Sequence, residues 1–162
     1  VERAHIHTPV PGVALEETLT RINNVHEAGL FERFGLTDFP LAEVERAYGF
    51  AKDVAYILPT VYQGWYSHVI RKPESILFPI LRRLGISFYA YSPPAGQIYR
   101  QVFWKPNHLG ALAEWASNAR KEGVWTAELV YRWVSWDGIL EPQYGDGLLL
   151  AARTPEQTKQ AV

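Results

Sequence analysis

Five short strand-like runs, none joined to the next by a hairpin signal, fix what this chain can fold into. "AHIHT" reads as the first. Leu15, Leu19, Ile22, Val25 and Leu30 then recur at helical spacing. "FERFGLTDF" is the second strand, and Pro40 opens a helix through "PLAEVERAYGFAKD", a first-turn position that suits proline. "YILPTVYQG" is the third strand, "ESILFPILRRLG" a helix with an internal proline, and "ISFYAYSP" the fourth strand. Two consecutive helices over "NHLGALAEWASNARKEG" and "TAELVYRWVSWDG" follow. "GLLLAA" is a buried-type fifth strand, before a helix over "TPEQTKQAV". Strands in this alternation pair through helical crossovers, so the expectation is an α/β fold with a parallel sheet. No linker, low-complexity stretch or fixed repeat divides residues 1–162, which predicts a single domain.

Composition narrows the function classes. A net charge of −1 with scattered basic residues predicts no nucleic-acid partner and no anionic membrane surface. The sequence holds no apolar run of about 20 residues to span a bilayer. The N-terminus enters a strand-like segment at once, so no signal peptide is expected, and cytosol is the default location. Cysteine is absent, which excludes disulfides, thiolate metal sites and a cysteine nucleophile. Six Trp, nine Tyr and seven Phe suit either an aromatic core or a site for something flat and apolar.

At "TVYQGWY…ILFPILRRLGISFYAYSPPAG" the sequence resembles the aldo-keto reductases, in the branch of the aflatoxin-aldehyde reductases and potassium-channel β subunits. "EETLTRINNVHEAGLFERFGLTDF" and "GLLLAARTPEQTKQAV" extend the likeness over nearly the whole chain. The resemblance implies a (β/α)₈ barrel of roughly 250 residues, of which this chain carries strands four to eight: a truncated barrel with about five parallel strands. In that family an Asp, a Tyr and a Lys on the first three units accompany a His on the fourth strand. His7 is the counterpart of that His. The resemblance puts Thr37 and Asp38 where the family has Ser-Asn, and Gln63 where a glutamine holds the nicotinamide carboxamide. It puts Tyr91, with Ser92 beside it, where an aromatic ring stacks on the nicotinamide. Arg153 falls where the adenosine 2′-phosphate is gripped, with Gln157 following. Asp38, Ala151 and Ala161 depart from the pattern, and "QIYRQVFWKP" is all that remains of a longer loop over the pyrophosphate.

Catalytic groups of such barrels lie at the C-terminal ends of strands, which favours His7 as an acid–base residue with Asp38 or Tyr91 as its partner. The alternative is a leftover histidine packed beside aromatics. His5 shares a strand face with His7; a metal would need a third ligand from Asp38 or His68, and no metal site is expected. Asp38, between Phe34 and Phe39, reads equally as a general base or as a cap of the helix at Pro40. Tyr62, Trp65, Tyr66, His68 and Tyr89 cluster near strand ends as candidate substrate-binding residues, with core packing as the alternative for Trp65 and Tyr89. A five-stranded piece has open edges, so a homodimer is expected, or a closure of the strands into a smaller irregular sheet. The reading favoured by the altered cofactor positions is acid–base chemistry without a cofactor, an isomerisation, dehydration or cyclisation of an apolar carbonyl-bearing small molecule. The alternatives are a fragment or subunit of an NADPH-dependent reductase of aldehydes and ketones, and a non-catalytic binding module.

Overall fold

The computed structural model describes residues 2–94, 106–152 and 154–159. Its strands are β1 (Arg3–His7), β2 (Arg33–Thr37), β3 (Pro59–Trp65), β4 (Ser87–Tyr91) and β5 (Gly147–Leu148). They form one sheet in the order β1-β2-β3-β4-β5, and the strands run parallel, as the alternation predicts. The helices are α1 (Leu15–Glu27), α2 (Leu41–Asp53), α3 (Pro73–Ile76), α4 (Phe78–Leu84), α5 (Pro106–Lys121), α6 (Thr126–Arg132) and α7 (Pro155–Lys159).

Two expectations differ in detail. The helix expected across "ESILFPILRRLG" is broken into α3 and α4 at Leu77. Pro79 is the reason: it has no N–H to give and sits in the first turn of α4, where none is needed. The fifth strand is two residues long. Leu149 donates its N–H to Ala90 O at 2.8 Å, but Leu149 and Leu150 are 37% and 46% exposed, so the apolar run is not a buried strand.

The chain divides into two compact units, Val1–Gly64 with Ser75–Tyr89, and Trp65–Glu74 with Ala90–Val162. In the first, alternation along β2 sends Phe34 and Leu36 to one face, where they are buried with Leu15 and Leu19 of α1, Val44 and Ala47 of α2, and Phe88 of β4. Asn23 is buried on α1 and satisfied: its Oδ1 accepts the Ile57 N–H at 2.9 Å and its Nδ2 donates to Glu27 at 2.8 Å. In the second unit the core gathers Tyr66, Leu112, Ala119, Val130 and Val134. There α6 runs into a wider helical turn over Trp133–Asp137, ended by Gly138.

Candidate active site on the sheet's C-terminal edge

Register brings three expected residues into one row. His7 pairs with Thr37 across β1–β2, and Thr37 pairs with Gln63 across β2–β3. Register partners in a parallel sheet project from the same face, so these side chains stand side by side at the C-terminal ends of their strands. The ladder runs one step further: Thr8 N–H donates to Thr37 O at 2.9 Å and Asp38 N–H to Gln63 O at 3.1 Å. The backbone turns sharply beyond it. Thr8, Asp38 and Ser92 follow β1, β2 and β4 with φ of 62°, 55° and 51°, a left-handed conformation uncommon for residues other than glycine. Such strain collects where chain direction matters more than local comfort.

Asp38 is set against His7 by that turn. His7 Nε2 lies 3.3 Å from Asp38 Oδ2, with the imidazole 72% exposed and the carboxylate 30% exposed. A carboxylate can only accept, so Nε2 carries the hydrogen and Nδ1 is left as the ring's acceptor. At this exposure the pair orients the ring and adds little to stability. A histidine held this way can take a proton at Nδ1 from a hydroxyl and return it as the imidazolium, which is acid–base capability.

His5 is partnered by residues that its own sequence neighbourhood does not single out. Its Nδ1 shares a 3.2 Å hydrogen bond with Thr37 Oγ1, and its ring lies over Gly35. A Cβ at Gly35 would sit 2.6 Å from His5 Cε1, so only glycine admits the ring there. Desolvation against that surface, followed by the charge of Arg3, lowers the His5 pKa below its usual value. The i, i+2 spacing of the two histidines signals their shared face; the glycine opposite becomes visible only with the register.

The tyrosines divide by strand direction. Tyr62 is 5% exposed, stacks on Phe88 at 6.0 Å and donates its hydroxyl to Phe39 O at 2.8 Å. Burial, and behind it the charge of Asp38, pushes its pKa up to about 12. Tyr62 and Gln63 are adjacent in β3 and face opposite ways, so Tyr62 is on the packed face, not in the row. Tyr89, partly exposed, carries the Arg3 guanidinium 5.2 Å from its ring centre. Gln63 is partly exposed, and its side-chain amide makes no hydrogen bond among the described residues.

The other candidates belong to the second unit. Trp65 and Tyr91 meet edge to face at 5.9 Å, and Ser92 follows partly exposed. Tyr66 is fully buried; its hydroxyl accepts from Ile139 N–H at 3.0 Å and donates to Glu74 at 2.8 Å, and its ring stacks on Trp133. His68 is 8% exposed, edge-on to Trp115 at 4.6 Å, and neither ring nitrogen has a partner among the described residues. Burial lowers its pKa to about 4. Gln157 lies exposed on α7, its N–H on Thr154 Oγ1 at 3.3 Å. Arg153, Ala161 and the stretch 97–105 lie outside the described residues. No group of three metal-ligating side chains occurs among the described residues. No helix among them is long and apolar enough to cross a membrane.

Comparison with known proteins agrees with the resemblance. The aldo/keto reductase family model matches residues 4–162. An oxidoreductase, sirO, of Leptosphaeria maculans is 33% identical across 100% of this chain and 56% of its own length. Aflatoxin B1 aldehyde reductase member 2 of Homo sapiens is 32% identical across 99% of this chain and 53% of its own. The solved aldo/keto reductase of Klebsiella pneumoniae in complex with NADP and acetate superposes with a TM-score of 0.71 at 19% identity, covering 99% of this chain and 52% of that one. The chain thus spans about half the length of the relatives it matches. One expectation is corrected here: chemistry without a cofactor conflicts with a family whose solved member holds NADP. A family match from residue 4 to residue 162, borne on a sheet of five parallel strands, makes this chain a member of the aldo/keto reductase family.

Proposed function

We propose that this chain contributes the carbonyl-side histidine and the nicotinamide-side amide of an NADP(H)-dependent reductase of aldehydes or ketones. The observation that carries this reading is the row His7, Thr37 and Gln63 at the C-terminal ends of β1, β2 and β3. Ligands of parallel α/β folds bind at that end of the strands. The residues fit the cofactor's nicotinamide end. A carboxamide offers one acceptor and two donors, and the Gln63 amide offers the complementary set without another hydrogen bond to break among the described residues.

NADPH, when bound, supplies the hydride. His7 serves the substrate oxygen: with Nε2 held by Asp38, its Nδ1 takes the proton from an alcohol, and the imidazolium returns one to a forming alkoxide. Asp38 keeps the ring in that orientation. Tyr91, Ser92, Arg153 and Gln157 are the further positions at which the family resemblance supports cofactor contacts. The tyrosine, lysine and aspartate of the family's other half are not among this chain's residues, so turnover is proposed for the assembled enzyme and cofactor binding for this chain.

Isothermal titration calorimetry of the folded chain with NADPH tests the reading. Saturable binding is expected, weakened at least tenfold by Gln63→Ala. The same substitution leaves the binding of 2′-phospho-ADP-ribose, which has no nicotinamide, unchanged. Absence of NADPH binding by a chain with native circular dichroism would remove the proposal.

A further inference from the structure

A pocket of about 280 Å³ opens in the first unit between the segment after β1 and the start of α2. Its walls include Pro9, two residues past His7, and Phe39, the residue after Asp38. Val10 and Val13 also line it and stand 52% and 40% exposed, although they are apolar. Phe39 is 3% exposed and held by Tyr62, which donates to its carbonyl, so this wall is fixed. The volume is nearly twice the roughly 150 Å³ that accepts a single benzene ring, and approaches the lower end of ligand pockets.

The polar groups at the rim are already committed. Arg46 gives Nε and Nη2 to Glu16 at 3.0 and 2.6 Å, and its Nη1 lies 3.6 Å from Glu43. Thr18 donates its hydroxyl to Ala14 O at 3.3 Å. An ionised ligand would have to break one of these pairs to find a counter-charge, whereas a neutral one covers exposed valines and loses nothing.

We propose that this pocket binds the neutral apolar body of a small molecule about two fused rings in size. Only the identification of that molecule with a carbonyl substrate rests on the function proposed above. The pocket itself rests on its walls and its neutral rim. A ligand seated there lies against Pro9 and Phe39, which follow His7 and Asp38 in the sequence.

The test is a titration of the folded 162-residue chain, without nucleotide, with 2-acetonaphthone, 2-naphthoate and 2-naphthylmethylammonium, followed by amide NMR. The ketone is expected to give saturable shifts centred on Val10, Val13, Thr18 and Phe39, with the two charged analogues at least tenfold weaker. Val10→Trp and Val13→Trp fill the space from exposed positions, and each is expected to weaken the ketone at least tenfold with circular dichroism unchanged. No saturable shift at these residues, equal binding of the naphthoate, or indifference to both tryptophans would overturn the proposal. Because nucleotide is absent, the outcome is independent of the NADPH titration: a bound ketone with no bound NADPH sinks the reductase reading and leaves the pocket standing.

Discussion

His68 makes a measurable prediction about acid stability. The imidazole is 8% exposed, packs edge-on against Trp115 at 4.6 Å, and has no partner for either nitrogen among the described residues. Burial brings its pKa to about 4, from an ordinary 6.5. In the unfolded chain this histidine takes up its proton as the pH falls through 6.5; in the folded chain it does so only near 4. Stability from keeping it neutral is therefore complete above pH 6.5 and is lost as the pH falls from there towards 4. At about 1.4 kcal/mol per pH unit the whole effect is about 3 kcal/mol, of which about 2 kcal/mol disappears between pH 7.5 and pH 5. The variant His68→Phe keeps a ring in place and removes both unpartnered nitrogens, each of which costs about 1–3 kcal/mol when buried. Urea unfolding read by tryptophan fluorescence is the assay. All six tryptophans lie in Trp65–Glu74 and Ala90–Val162, so the signal reports the unit that holds His68. The wild type should lose about 2 kcal/mol more than His68→Phe between the two pH values, and the variant should be the more stable at pH 5. Other titrating groups, His5 included, are common to both proteins and cancel. Equal pH slopes in the two proteins would refute the claim that His68 is buried and neutral.

Gly35→Ala puts a Cβ within 2.6 Å of the His5 ring, which can swing into solvent, so the expected stability loss is small, about 1 kcal/mol. The sharper readout is the His5 titration by NMR: with the ring displaced from Gly35 and Thr37, its pKa rises towards the ordinary value, and an unchanged titration would count against the geometry. Tyr62→Phe leaves the Phe39 carbonyl without its 2.8 Å hydroxyl partner and should cost about 1–2 kcal/mol, measured by circular dichroism because the first unit contains no tryptophan.

Helix spacing and strand alternation made the order of elements legible, because both patterns arise from burying one face of an element. The fifth strand escaped this logic. "GLLLAA" is apolar enough for a buried strand, yet β5 is only Gly147–Leu148, continued by the Leu149 N–H bond to Ala90 O, and Leu149 and Leu150 are left partly exposed. Apolarity says what a residue would gain from burial; whether a neighbour exists to bury it is a tertiary matter. His7 stood out through the family resemblance, which sets a histidine at a strand end, and the structure shows it as the last residue of β1. Its pairing with Asp38 needed the turn at φ 55°, which no composition announces. His68 lies in a loop without period, and nothing local marks it as buried.

The tyrosine at position 62 shows where the sequence held more than its chemistry suggested. Tyr62 and Gln63 are consecutive in one strand, so period-two geometry by itself forbids them a common face. If Gln63 belongs to the site row, Tyr62 must point to the packed face, as its stacking on buried Phe88 shows, and the ring lies by Gly64, where a Cβ would sit 2.7 Å from it. His5 over Gly35 repeats the device on the opposite face, a ring laid across a glycine two positions away or on the neighbouring strand. In both cases the missing side chain is what lets an aromatic ring lie flat on the sheet, and the ring then fixes a neighbour that matters: the Phe39 wall of the pocket through Tyr62, and Thr37 in the site row through His5. The two glycines thus seat, one on each face of the sheet, the rings that hold neighbours of the candidate site.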